Sequence, residues 1–371
     1  MQVPTVELVV QALKELRDPS SAMPKSLVDG GSLHALVDGV HARVTIETGA
    51  NEETRATIEK DARAMLAEKL PALEKVDVVF RSHAGHREIT SEDPLPGVKN
   101  LVLVMSGKGG VGKSTVAANL TMSLARQGLR VGLLDADIYG PSVPTMFGIS
   151  GRPSSIDGKS IEPLERFGVK LMSIGFLLED PKAAVVWRGP MLHGALQQFL
   201  KDVNWGKLDY LILDLPPGTG DVALTLSQKA RATGAVVVTT PQEVALMDVY
   251  KSVSMCQKLN IPILGVVENE SYFVCDGCSK KHAIFGTGGG QKVAEFANAP
   301  LLGQIPLDPQ ARIWGDQGTP VVQAAPSSPI AKSFAELAEQ VIVQVARVNG
   351  ERLGTLTISR EGMPMRLPIV R

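Results

Sequence analysis

Apolar and polar positions divide the 371-residue chain into two parts with different periodicity. In the first part, apolar residues recur at helical spacing over Val6–Leu16, and a longer amphipathic run follows over Asn51–Leu70. The alternation at His41–Ile46 and the apolar run at Val76–Phe80 predict two strands. Residues 1–81 are therefore predicted to form a small α+β domain.

A segment rich in charge, proline and glycine follows at residues 82–98 and is predicted to be a linker. Beyond it, short apolar runs alternate with helical patterns. The runs are Leu101–Met105, Val131–Asp135, Leu208–Asp214, Ala235–Thr240, Ile263–Glu268 and Leu301–Ile305. Strands that are apolar on both faces and separated by helices predict an α/β fold, with a mostly parallel sheet and helices on both faces. This domain is expected to span residues 99–348 and to end with a helix within Pro326–Val348. Residues 349–371 are expected to be a C-terminal tail.

Composition narrows the cellular setting. The formal net charge is −1, which argues against a protein built to neutralise a phosphate backbone. We find no secretory signal and no stretch long enough to span a bilayer. The three cysteines, Cys256, Cys275 and Cys278, are too few for a disulfide framework and favour a reducing compartment. We expect a cytoplasmic protein without a nucleic-acid or membrane partner.

A phosphate-binding loop follows the first strand of the second domain. The pattern Gly-x4-Gly-Lys-Ser lies between the apolar run Leu101–Met105 and a helical run from Ser114 to Gln127, which Gly128 ends. Its glycines allow successive backbone N–H groups and the helix N-terminus to face phosphate oxygens. Lys113 is expected to contact the β- and γ-phosphates of ATP, and Ser114 to bind Mg²⁺. The predicted nucleotide-binding residues of the loop are Gly107, Lys108, Gly109, Gly110, Val111, Gly112, Lys113, Ser114 and Thr115.

Two acidic strand ends lie near this loop in the predicted sheet. Asp214 ends one strand, where an acid that helps to hold Mg²⁺ belongs, and Gly218 and Gly220 after it suit a loop that senses the γ-phosphate. Asp135 and Asp137 end another strand. An aspartate at a strand end also serves as a helix cap or a turn residue, so the pattern leaves both roles open.

Lys108 gives the loop the form Lys-Gly-Gly-x-Gly-Lys-Ser, which resembles the deviant Walker A loop of the Mrp, septum-positioning, plasmid-partitioning and nitrogenase iron-protein group. The resemblance implies a homodimer in which Lys108 reaches the partner's nucleotide, although spacing alone also allows a solvated lysine. It further implies that Asp137 positions the attacking water and that Asn269 contacts adenine. The implied catalytic residues are Lys108, Lys113, Asp137 and Asp214.

A cysteine pair, Cys275 and Cys278, follows the Ile263–Glu268 strand. Two thiolates at this spacing suit one edge of an iron–sulfur cluster or one zinc ion, and two copies of the chain would complete a four-thiolate site. The spacing by itself also allows a redox dithiol, half of a zinc knuckle with His282, or two incidental thiols. Cys256 lies in a helical run and is expected to be buried.

Several further segments resemble the Mrp/ApbC family. They are Trp187–Met191, Asp209–Asp221, Glu268–Phe273 and Pro300–Asp308. The resemblance implies an iron–sulfur carrier ATPase that holds a [4Fe–4S] cluster at its dimer interface. The cluster would come from an upstream scaffold and pass to apo iron–sulfur client proteins. Residues 1–81 resemble the small iron–sulfur-assembly-associated domain. Glu270 stands where the family usually has methionine.

Two other functions are open at this point. One is a nucleotide-switched positioning ATPase of the septum or partitioning type, which the unremarkable charge and the cysteine pair disfavour. The other is an ATPase dimer bridged by zinc, with Cys275, Cys278 and His282 as ligands.

Overall fold

The fold comes from a computed structural model with two sheets and one separate hairpin. It describes residues 4–17, 19, 26–29, 32–48, 52–81, 87, 89, 93–137, 140–155, 158, 160–177, 189–218, 230–275 and 277–360.

The N-terminal unit is a three-stranded sheet with two helices. Its elements are α1 (Val6–Ala12), β1 (Leu33–Asp38), β2 (His41–Glu47), α2 (Glu52–Lys69) and β3 (Lys75–Arg81). Strand β2 lies between antiparallel β1 and parallel β3. Helix α2 buries Ile58, Ala62 and Leu66, which lie four residues apart and therefore on one face. The predicted small α+β unit is therefore present.

Two details of this unit differ from the sequence analysis. Helix α1 ends at Ala12 rather than Leu16, because Leu16 N–H donates to Leu13 O in a tight turn instead of continuing the helix. Strand β1 was not predicted. Its alternation is weak, since His34 is buried beside the apolar residues Leu33 and Ala35.

The second unit is built on an eight-stranded sheet. The strands are β4 (Val98–Ser106), β5 (Val131–Asp135), β6 (Leu164–Arg166), β7 (Val169–Ser173), β8 (Leu208–Asp214), β9 (Gly234–Thr239), β10 (Ile263–Glu268) and β13 (Leu301–Gln304). Their order is β13–β10–β9–β4–β8–β5–β7–β6, and only the β6–β7 pairing is antiparallel. Strands β11 (Phe273–Val274) and β12 (Lys281–His282) form the separate hairpin.

Helices cover both faces of this sheet. They are α3 (Lys113–Arg126), α4 (Val143–Met146), α5 (Gly189–Lys201), α6 (Glu243–Lys258), α7 (Gly289–Ala297), α8 (Pro309–Asp316), α9 (Val321–Ala324) and α10 (Pro329–Arg360), with a 3-10 turn at Ile174–Leu177. Along β4, Val102 and Val104 enter one apolar core, whereas Leu101, Leu103 and Met105 enter the other. This alternation of two buried faces confirms the predicted α/β fold.

The six predicted strands of this unit are all present, but β6 and β7 were not predicted. Charged Glu165, Arg166 and Lys170 interrupt their apolar pattern. Helix α10 continues to Arg360, so residues 349–360 of the predicted tail are helical, and residues 361–371 lie outside the described part. No helix among the described residues is both long and apolar enough to cross a bilayer.

The N-terminal sheet contacts the second unit at the amino ends of the strands, opposite the loop that follows β4. Basic side chains surround the carboxylate of Asp209, near the start of β8. This carboxylate accepts hydrogen bonds from the backbone and guanidinium of Arg130 and lies 2.9 Å from Lys99 Nζ and 3.9 Å from His34 Nε2. These cations hold the pKa of Asp209 well below its usual range, although burial acts in the opposite direction. Thr45 Oγ1 donates to Gln127 O, at the end of α3, over 2.9 Å.

Candidate functional site

The loop between β4 and α3 has the geometry of a phosphate cradle. Gly110 and Gly112 have φ of 80° and 78°, a left-handed conformation that L-residues with side chains rarely adopt. Gly112 is the N-cap of α3, so the helix begins where the loop ends. The loop therefore places the positive end of α3 at the carboxyl edge of the sheet, where an anion would bind.

Lys113 lies at the centre of a cluster of carboxylates. Its ammonium is 2.6 Å from Asp214 Oδ1 and 3.6 Å from Asp137 Oδ2, and it donates to Ser114 Oγ over 3.2 Å. The Lys113 side chain is only 6% exposed, and that of Asp214 is fully buried. The structure thus brings together four of the residues predicted for ATP and Mg²⁺ from three separate parts of the chain.

Asp135 organises the segment that carries Asp137. Its carboxylate accepts hydrogen bonds from the backbone N–H groups of Asp137, Ser142 and Val143 and from the Ser173 hydroxyl. Burial, and then the nearby charge of Asp214, raise the pKa of Asp135 to about 7. These contacts point to a structural role for Asp135.

Asp214 is suited to a hydrated cation. Burial raises its pKa, and the Lys113 ammonium acts against that rise. A side-chain hydrogen bond from Ser114 also lowers that pKa, while the buried Asp214 Oδ2 has no partner with hydrogen-bond geometry among the described residues. The described part of the chain contains no group of three or more metal-ligating side chains. One carboxylate and one hydroxyl beside a phosphate loop nevertheless suit Mg²⁺, which keeps several waters and takes further oxygens from substrate phosphates.

Asn269, directly after β10, closes one side of the loop. Its Nδ2 donates to Val111 O over 3.0 Å, and a Cβ at position 112 would overlap that amide. Asn269 also lines a cavity of about 870 Å³ that extends from the loop to the hairpin. Thr115 and Gly112 line it at the loop end, and Phe273 and Ile284 line it near the hairpin. The cavity is large enough for a nucleoside beside the phosphate loop.

Lys108 makes a different kind of contact from Lys113. Its backbone carbonyl accepts a hydrogen bond from Ser106 Oγ, which shapes the start of the loop. Its side chain is half-buried, and no carboxylate of the described residues lies within ion-pair distance of it. The contacts seen here therefore separate the two loop lysines, with Lys113 held inside the site.

The cysteine pair lies in the turn of the β11–β12 hairpin. Phe273 pairs with His282, and Cys275 N–H donates to Lys280 O over 3.0 Å. Ser279 N–H closes the turn onto Cys275 O over 2.7 Å. Cys275 is half-buried and Cys278 exposed, so a ligand can reach both. Cys256 is fully buried against Met105, as predicted, and burial raises the pKa of its thiol to about 12.

The hairpin and the buried carboxyl of Glu268 were not predicted from the sequence. Strands of two residues are too short to give a periodic pattern. Glu268 is a fully buried acid at the end of a strand, the same signal that identified Asp214. Of the residues in the segments identified from the sequence, Trp187, Arg188, Gly220 and Asp221 lie outside the described part of the chain.

Comparison with known proteins identifies the family. The model of the NUBPL iron-transfer P-loop NTPases matches residues 97–342, about two thirds of the chain. The chain belongs to this family. Its relatives include an iron–sulfur cluster carrier protein of Aquifex aeolicus, which is 44% identical over 369 residues and aligned over 92% of this chain and 98% of its own length. Another, from Salmonella typhimurium, is 50% identical over 260 residues and 70% of each chain.

A solved structure supports the same assignment of this NUBPL-type chain. The nucleotide-binding protein of Archaeoglobus fulgidus in complex with ADP is 40% identical, with a TM-score of 0.56. The match covers 67% of this chain and 97% of that one. The chain is thus a P-loop NTPase of an iron-transfer family, and its predicted resemblance to iron–sulfur carrier ATPases is confirmed.

Proposed function

We propose that this protein is an ATP-hydrolysing iron–sulfur cluster carrier that binds a [4Fe–4S] cluster between two copies of itself and delivers it to apo-proteins. The observation that carries the proposal is an accessible pair of thiols in the turn of a hairpin whose base, at Phe273, lines the same cavity as a phosphate loop of the deviant lysine type. The family match and the naming of the Aquifex aeolicus relative as a carrier support it.

At the nucleotide site, Lys113 would exchange part of its contact with Asp214 for the β- and γ-phosphates. Ser114 and the orphan Asp214 Oδ2 would hold Mg²⁺ and its waters, which supply charge neutralisation at the phosphates. Asp137, 3.6 Å from Lys113 Nζ, would orient the attacking water. Asn269 would contact the base from its position in the lining of the cavity.

A second copy of the chain would supply the cysteine ligands that one chain lacks. Cys275 and Cys278 supply two thiolates, and a four-thiolate cluster site needs four. A twofold dimer doubles every site, so two hairpins meeting at the axis would complete the ligand set. The same axis would place each Lys108 near the partner's phosphates. Nucleotide state and cluster binding would then be linked through the dimer interface.

The cluster in this scheme is cargo, received from an upstream scaffold and passed to client apo-proteins. Cys278 is exposed in the turn, so an incoming thiolate can displace it by ligand exchange. A Lys113→Ala variant is expected to lose ATP hydrolysis and cluster delivery together, because this lysine is the ammonium among the acids of the site. If that variant still matures client enzymes in cells as well as the wild type does, nucleotide hydrolysis is not coupled to delivery.

Zinc is the rival occupant of the thiol pair, with His282 as a further ligand. Anaerobic reconstitution with iron and sulfide, followed by absorbance spectra and metal analysis, separates the two cases. A broad charge-transfer band and equal iron and sulfide support the cluster. Colourless protein that retains stoichiometric zinc and excludes iron would overturn the proposal. Lipid co-sedimentation or salt-sensitive DNA binding in ATP would favour a positioning ATPase instead.

A further inference from the structure

Another buried acid, Glu268, lies between the nucleotide loop and the cysteine hairpin. It is the last residue of β10 and is fully buried. Its carboxylate accepts three hydrogen bonds, from Ser271 Oγ at 2.6 Å, Gln304 Nε2 at 2.7 Å and Gly290 N at 2.6 Å. None of the lysine, arginine or histidine side chains in the described ranges lies within ion-pair distance of it. Neutral donors therefore hold this carboxylate, and each donor comes from a different segment.

Two of those donors flank the cysteines. Ser271 precedes Cys275 by four residues, and Gly290, the second residue of helix α7, follows Cys278 by twelve. The attachment at Gly290 is tight, since a Cβ there would lie 2.7 Å from Glu268 Cβ and 3.1 Å from Glu268 Oε2. The single carboxylate thus holds both ends of the segment that carries the thiol pair.

The next residue, Asn269, contacts the nucleotide loop rather than the cysteine hairpin. Asn269 donates to Val111 O in the phosphate loop, and its backbone N–H donates to Thr239 O at the end of β9. A displacement of the phosphate loop that moves Asn269 is therefore expected to displace Glu268 as well, because one peptide bond joins the two residues. A buried carboxylate with three short hydrogen bonds does not easily absorb such a movement, because each lost bond leaves charge unsatisfied.

We propose that Glu268 is a positioning residue that ties the cysteine hairpin to the nucleotide loop, so that nucleotide binding changes the placement of Cys275 and Cys278. This inference rests on the proposed function in one respect, namely that the connection through Glu268 would couple nucleotide state to the bound iron–sulfur cluster. The coupling itself concerns the chain alone and needs no cluster. Glu268 takes no part in phosphate chemistry in this scheme.

The test is thiol accessibility in the cluster-free, full-length protein. Labelling with monobromobimane, followed by peptide mapping, gives separate rates for Cys275, Cys278 and the buried Cys256. In the wild type, ADP or a slowly hydrolysed ATP analogue with Mg²⁺ should change the Cys275 and Cys278 rates by about fivefold or more, the lower end of coupling between linked sites. In Glu268→Gln the rates should become independent of nucleotide, while nucleotide affinity stays close to that of the wild type.

Glu295→Gln is the matched control, because it makes the same chemical change on an exposed carboxylate of α7 that accepts a hydrogen bond from Gln291 on the same helix. This control should retain the nucleotide response. Ser271→Ala, which removes one of the three donors, should reduce the response and serves if Glu268→Gln fails to fold. A merely structural role for Glu268 would raise labelling of all three cysteines, Cys256 included, and leave the nucleotide ratio unchanged.

A wild-type nucleotide ratio in folded Glu268→Gln, or no nucleotide effect in the wild type, would overturn the inference. Failure of the cargo assignment gives a different result, namely a nucleotide-dependent labelling ratio in a protein that never retains iron and sulfide. The two failures are therefore distinguishable.

Discussion

Replacing Lys113 by methionine should destabilise the nucleotide-free protein in a strongly pH-dependent way. Lys113→Met keeps most of the side-chain volume but removes the ammonium that lies 2.6 Å from Asp214. Breaking a buried ion pair by removing one partner costs about 3–5 kcal/mol, because the remaining charge is left uncompensated. Asp214 can escape part of that cost by binding a proton, and this makes the loss depend on pH.

The sign of the dependence follows from the pKa shifts. Burial already raises the folded pKa of Asp214, and Lys113 opposes the rise, so the variant raises it further. A carboxylate with a raised folded pKa contributes stability that is complete below its unfolded pKa and is lost as the pH rises through its folded pKa. Each additional proton bound by the folded state changes stability by about 1.4 kcal/mol per pH unit. The deficit of Lys113→Met should therefore narrow by up to about 2.7 kcal/mol between pH 8 and pH 6.

Urea denaturation of both proteins at several pH values, with EDTA and without nucleotide, measures this deficit. Lys251→Met is the control, since Lys251 is 76% exposed and pairs with Asp248 on the surface. The control should lose less than about 1 kcal/mol at every pH. A Lys113→Met deficit that stays constant from pH 6 to pH 8 would show that the buried acids are not electrostatically coupled to this lysine.

Three other predictions concern separate parts of the chain. Asp209→Asn should lower stability at pH 7 by about 2–4 kcal/mol, because it removes the charged acceptor of Arg130 and Lys99. Since the folded pKa of Asp209 is depressed, urea denaturation should show that deficit beginning to narrow as the pH falls below about 4, where an unfolded aspartate binds its proton, and closing only as the pH falls through the folded pKa. Gly112→Ala forces alanine to φ near 78° and against the Asn269 amide, and fluorescent ADP should bind it at least about tenfold more weakly. Lys108→Ala should reduce ATP hydrolysis by roughly 100-fold. The affinity of this variant for nucleotide should stay near that of the wild type. An equal loss of hydrolysis and affinity would mean that Lys108 contacts the nucleotide of its own protomer rather than that of the partner.

The sequence predicted the main architecture because the signals for it are local. Buried parallel strands are apolar on both faces, so β4, β5, β8, β9 and β10 are visible as short runs between helical patterns. The phosphate loop is equally visible, since its geometry depends on glycines at fixed positions. Short or charged strands such as β6, with Glu165 and Arg166, carry no such signal and depend on their neighbours for pairing.

The contacts that could not be predicted from the sequence join distant segments, both at the site and at the opposite edge of the sheet. Glu268 meets Gly290 and Gln304, which lie 22 and 36 residues away, and Asp209 meets Arg130 across 79 residues. Spacing along the chain gives no sign of such pairs. Asn269 was predicted only in part. The resemblance implies a contact with adenine, and the structure adds a hydrogen bond from Asn269 to Val111 O in the phosphate loop.

In the proposed function, two chains share one cluster through Cys275 and Cys278. Native mass spectrometry of the anaerobically reconstituted protein measures this directly. A dimer carrying about four irons and four sulfides, and a Cys275→Ala variant without that added mass but with ordinary ADP binding, is the predicted result. A monomer that holds its own metal, or a cluster retained after both cysteines are replaced by alanine, would contradict the account.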